Sequence, residues 1–210
     1  MGRLLAVVTL VLLAAACQNE SHPAFSPVPS PSPHIAPTAA ILQSGDVPAG
    51  LEVCLGSGPI DVYLSVLETA DATLANHLTD QWSRLRTSGA KAGAISTFVA
   101  NPSACRSELG ATTNVKAISS FVAQFVDEGE ADRAWQSGIF GFVPPAPGEV
   151  LPGLTRGTGT GLGISSFTYD TPGLRLACWH RSVFVALVVA SNLDLSTFKA
   201  ATAAIDPRLN

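Results

Sequence analysis

The sequence predicts an α+β domain: one antiparallel sheet with helices packed on it. Three observations lead there. Strand-like segments outnumber helical ones, hairpin connections dominate the second half, and one strand near residue 127 runs through a capping signal into a helix. A chain of 210 residues makes a single domain the default, and no internal repeat of fixed period interrupts it.

Residues 1–16 precede the domain. Arg3 stands before an apolar run from Leu4 to Ala16, too short to span a bilayer comfortably and of the length of a secretory h-region. The run ends in small residues and a cysteine, Leu13-Ala14-Ala15-Ala16-Cys17, which resembles the bacterial lipobox. Ala14 departs from the commonest residue at its position, Leu. The resemblance implies cleavage after Ala16, lipidation of Cys17 by palmitate-type chains, and anchoring at the extracytoplasmic face of the cell membrane. Each buried methylene of such chains contributes about 0.8 kcal/mol, and two chains suffice for stable anchoring.

Residues 17–40 are Pro-rich and show no apolar periodicity. Proline fixes φ and lacks an N–H, so this stretch reads as a semi-rigid polyproline II tether that lifts the domain from the membrane. His22 and His34 fall inside it, without partners at metal-ligand spacing.

The globular domain is expected over residues 41–210. Leu51–Leu55 alternates like a short strand and Gly56-Ser57-Gly58-Pro59 breaks it. From Ile60 to Leu85 the apolar positions Tyr63, Leu67, Ala70, Leu74, Leu78, Trp82 and Leu85 follow helical spacing. Asp71 and Thr73, which favour caps over helix interiors, divide the stretch in two, and Ser88-Gly89 stops it. Ala94–Ala100 reads as a strand. A second strand begins at Val115 and carries Phe121 and Phe125 on one side. Asp127, with Glu130 three residues on, then gives an Asp variant of the capping box for a helix bearing Ala131, Ala134 and Trp135. Residues 138–163 are rich in Gly and Pro and read as loop. Strands follow at Ser165–Asp170, Leu174–Trp179 and Val183–Ala190, the last two joined by a turn at His180-Arg181-Ser182. A helix capped by Asp194 or Ser196 carries Phe198, Ala201 and Ile205, and Pro207 ends it.

Hydrophobic residues make up 47% of the chain and charged ones only 13%, with a formal net charge of −4 and scattered basic residues. Nucleic-acid binding needs clustered positive charge to neutralise phosphates, so no nucleic-acid partner is expected. Three cysteines remain beyond Cys17. Cys54 follows a strand and Cys105 lies in a loop, so a disulfide between them is expected in an oxidising compartment. Cys178, inside an apolar strand, reads as a buried small hydrophobe.

Catalytic signals are absent from the pattern. The run Gly157-Thr158-Gly159-Thr160-Gly161-Leu162-Gly163 lacks the Lys-Ser/Thr of a phosphate loop, misses the dinucleotide spacing, and leads into a strand rather than a helix. Cys178 and His180 share a strand face, but a turn-adjacent histidine is more often structural. The acidic residues around Asp127 are accounted for by a helix N-terminus. No catalytic residue, metal site or cofactor is therefore expected.

In element order, residues 41–210 resemble actinobacterial envelope lipoproteins and the extracellular sensor domains of mycobacterial receptor kinases, which have a PsbP-like α+β sandwich. The resemblance implies a membrane-anchored, non-enzymatic module that binds a small or lipidic ligand. Trp179, His180 and Arg181 at the hairpin, with Gly159, Gly161 and Gly163 in a flexible loop, are the expected rim of its cleft. A structural or protein-interaction role in the envelope and an envelope hydrolase are the alternatives.

Overall fold

The computed structural model describes residues 35–210; the expected signal segment, Cys17 and the tether as far as His34 lie outside the described residues. The expected sheet forms, and every strand pairing in it is antiparallel. Its central strands are β3 (Ala90–Val99), β4 (Ala117–Phe125), β8 (Phe184–Ser191) and β7 (Leu174–Arg181). One edge is made by β6 (Ser166–Thr171) and β5 (Leu154–Arg156), the other by two short strands on β3, β1 (Glu52–Val53) and β2 (Gly58–Pro59). The spatial order is β1-β3-β4-β8-β7-β6-β5.

Both faces of the sheet are covered. Helices α2 (Ile60–Ala70), α3 (Ala72–Thr87) and α4 (Glu128–Ser137) pack on one face, over Ile95, Phe121, Phe125, Leu176 and Leu187. The short α1 (Pro37–Ala40) and the closing α5 (Leu195–Ile205) pack on the other, over Phe98, Ile118, Val122, Trp179 and Val188. Strands covered on both sides need apolar residues at odd and even positions alike, which is why β8 reads Phe-Val-Ala-Leu-Val-Val-Ala-Ser without alternation.

The polar positions that give β3 and β4 their mixed appearance are buried too, and they pair across the strands. Ser96 and Ser120 hydroxyls lie 2.9 Å apart on one face, and Thr97 and Ser119 lie 2.8 Å apart on the other. Burying a hydroxyl is costly unless a partner is supplied, and here the register supplies one. Ser120 also accepts the backbone N–H of Leu42 at 2.9 Å, which fixes the chain just after α1 to the sheet.

That contact moves the domain boundary. The tether expected to run through Ala40 gives way earlier to folded chain: Pro37–Ala40 is helical, and Ala40, Ile41 and Leu42 are core residues. Pro37 stands at the first turn of this helix, where a missing N–H costs nothing.

Local signals place the other helices. Asp71 accepts the N–H of Leu74 at 3.0 Å and divides α2 from α3, while Asp127 accepts that of Glu130 at 2.8 Å to start α4. The reciprocal bond of a capping box does not form: the Glu130 carboxylate turns toward Gly89, where an added Cβ would lie 2.0 Å from its Oε2. Asp194, rather than Ser196, caps α5 by accepting the N–H of Thr197 at 2.7 Å. At Gly93 the sheet lets the Trp82 ring come close; a Cβ there would lie 2.9 Å from it.

Candidate functional site

A groove of about 330 Å³ lies where the β1 edge meets α2. Its floor is made of the buried residues Cys54, Tyr63, Leu67 and Val99. Three segments form the walls. From α2 come Val66, Thr69 and Ala70; from β1 and the turn after it, Glu52, Val53 and Leu55; from the 3-10 turn Pro102–Arg106, Pro102, Cys105 and Arg106.

Each wall is placed by a local cause. In α2 the residues Ile60, Tyr63, Leu64 and Leu67 recur at core spacing and bury against the sheet. Val62, Val66 and Ala70 form a second apolar stripe at i, i+4, i+8, beside the core stripe, and Val66 and Ala70 of that stripe face the groove. The 3-10 turn begins at Asn101, whose side chain accepts the N–H of Ser103 at 3.0 Å. A disulfide, Cys54–Cys105, joins this turn to the end of β1, as expected from the places of these two cysteines after a strand and in a loop. Two walls of the groove are thus covalently linked.

Apolar side chains are left uncovered here. Leu55 is 83% exposed and Val53 54% exposed, both on the groove wall. The Tyr63 hydroxyl is buried and faces Thr97 without closing a hydrogen bond of normal geometry, and burial pushes its phenol above the ordinary range. Two charged residues stand on the rim, Glu52 and Arg106, and neither is ion-paired among the described residues.

The rim expected from sequence lies elsewhere. Trp179 is fully buried in the core between the sheet and α5. β7 continues through His180 and Arg181, so the hairpin turn is Ser182-Val183, with Ser182 at φ 53°. The His180 side chain is 8% exposed; its Nε2–H donates to the Ser182 carbonyl at 2.7 Å, and its Nδ1 lies 3.8 Å from Asp132 of α4. Arg181 pairs with Asp206 at 2.9 Å. Burial pushes the Asp206 carboxyl up, partly offset by Arg181 and the Trp179 indole N–H beside it. These three residues brace the hairpin against the helices.

Gly159, Gly161 and Gly163 are likewise held in place. Gly159 lies in a 3-10 turn, Gly157–Thr160, which Gly161 ends in a left-handed conformation at φ 78°. The loop is tied to β6 by Ser166, whose Oγ lies 2.6 Å from the Gly163 carbonyl and 2.6 Å from the Thr160 hydroxyl. Leu162 is anchored in the core. The loop expected to be flexible is therefore a pinned one, because the Ser166 hydroxyl serves its backbone carbonyls and the Thr160 hydroxyl accepts the N–H of Leu162. A more open hollow of about 420 Å³ lies beside it, lined by Trp135, Pro144, Pro145, Ile164 and Phe167 among others. None of the six expected rim residues lines it or the groove.

Cys178 is free and fully buried, and burial pushes its thiol well above the ordinary range, which disfavours the nucleophilic thiolate. Among the described residues no three His, Cys, Asp or Glu side chains gather as a metal site, and no helix is long and apolar enough to cross a membrane.

The sequence reading missed the groove. Its signal was the surplus of apolar residues on α2, more than one core stripe requires, beside Val53 and Leu55 flanking Cys54. In comparisons with family models, curated proteins and solved structures, nothing matches this chain.

Proposed function

We propose that this chain is a membrane-anchored extracytoplasmic lipoprotein whose domain binds a small apolar ligand without transforming it, in the groove between β1, α2 and the disulfide. One observation carries the reading: a concave apolar site with a built floor, rimmed by few polar groups, is the usual form of a small-ligand site. The lipobox-like segment ending at Cys17 and the Cys54–Cys105 disulfide support export to an oxidising compartment.

The test is chemical. The protein isolated from its own host is extracted, and co-purifying small molecules are identified by mass spectrometry. The expected result is an apolar compound that Ala70→Trp, which fills the groove from its α2 wall, excludes. An extract identical with and without that substitution refutes the reading.

A protein-interaction role is the second reading. β1 ends the sheet, and because the Cys54 N–H donates to the Thr97 carbonyl at 2.7 Å, the backbone N–H of Val53 faces away from β3. Such an edge, with Leu55 exposed next to it, is a place where an extended segment of another chain could add.

A further inference from the structure

We infer that the groove selects a single-chain fatty carboxylate of about ten to twelve carbons, its chain along the floor and its carboxylate on Arg106. The inference rests on the binding reading above and names the ligand class for that same site.

Size sets the chain length. The groove holds about 330 Å³. A methylene fills about as much space as a water molecule, ~30 Å³, so the groove takes about ten of them. The floor residues Leu67, Val99 and Tyr63 with the disulfide offer a one-chain apolar surface, and exposed Leu55 extends it past the rim.

Charge sets the head. Arg106 is the only cation lining the groove, and among the described residues it has no ion pair and no side-chain hydrogen bond. It directly follows Cys105, so the disulfide fixes the backbone from which it projects. A guanidinium fork matches a carboxylate through two parallel hydrogen bonds. Glu52 stands on the β1 wall and repels an anion placed on that side. The two rim charges therefore orient an amphiphile, with its head toward the 3-10 turn, and a monoanionic carboxylate meets less repulsion from Glu52 than a dianionic phosphate.

The test is calorimetric titration of the full chain carrying Cys17→Ser, so that no covalent acyl group competes for the groove. The probes are dodecanoate and dodecanol, each below its aggregation limit. Dodecanoate is expected to bind up to about five-fold more tightly than dodecanol, the upper end of the range of an exposed ion pair. Arg106→Gln should abolish that preference, Glu52→Gln should enlarge it, and Ala70→Trp should remove binding of both. All three positions are exposed, and circular dichroism checks that each variant is folded. Equal binding of the two probes, or a preference that survives Arg106→Gln, overturns the headgroup assignment and leaves the apolar groove standing. Failure of both probes to bind, or binding untouched by Ala70→Trp, overturns the groove itself as their site.

Discussion

Arg208 joins the two ends of the described chain. Its guanidinium donates to both carboxylate oxygens of Asp46, at 2.7 and 2.8 Å, and to the Ile41 carbonyl at 3.1 Å. The hydrogen bond from Arg208 holds the Asp46 carboxyl below its ordinary range, against the upward push of burial, and the N–H of Gln43 helps. A carboxylate with a depressed folded pKa stabilises fully above its unfolded value. That contribution is lost as pH falls through the folded one. Asp46→Asn is therefore expected to destabilise at pH 7 by about 1.5–3 kcal/mol, the range for hydrogen bonds to charged groups. The gap to the unsubstituted protein should shrink below about pH 4. Urea unfolding at pH 7, 5 and 3 measures it, and a gap independent of pH would show that packing, not the ion pair, is what the residue supplies.

Among the elements, β1 is held by few bonds of its own. It has two residues, both exposed, and pairs only with β3. The Cys54–Cys105 bridge closes a loop of 51 residues. In the chain-entropy model such a bridge stabilises by about 4 kcal/mol. The cysteines belong to a small cluster with Val99, Ala104 and Ala117, apart from the two large cores on either side of the sheet. The double variant Cys54→Ser/Cys105→Ser is thus expected to lose stability of that order and still fold. Its amide exchange should quicken throughout the core by an amount matching that loss, β4 and β8 included. Exchange that quickens only at residues 51–59 and 101–106 would mean that the bridge secures the groove walls and adds nothing to global stability.

At the scale of the whole molecule, the proposed anchor and the groove are separate devices. The groove is built from residues 52–106, and the proposed anchor from Cys17. Cys17→Ser is expected to shift the protein from the membrane fraction to the soluble one, or to leave an uncleaved precursor, while ligand binding by the folded domain persists. Fractionation followed by mass spectrometry of the N-terminus checks both. Full membrane retention of a cleaved Cys17→Ser chain would remove the lipid anchor from the proposal.

Capping and periodicity made much of this fold legible. Asp71, Asp127 and Asp194 mark their helix starts in the sequence because a short acceptor needs only the next few residues' N–H groups. The strand segments and the antiparallel class follow from equally local patterns, and the Cys54–Cys105 pairing from which cysteines stood outside apolar strands. Three things were decided only in the tertiary structure. Helices on both faces of the sheet buried Ser96, Thr97, Ser119 and Ser120, so a polar side chain in a strand ceased to mean a solvent face. Contact with α5 took Trp179 inside and gave Arg181 to Asp206, so neither residue lines the groove. The groove arose where α2, β1 and a turn some fifty residues away meet. Caps and periodicity are read within a turn or two of chain, whereas burial and concavity depend on which distant surfaces are brought together; the sequence states the first directly and the second only through the packed fold.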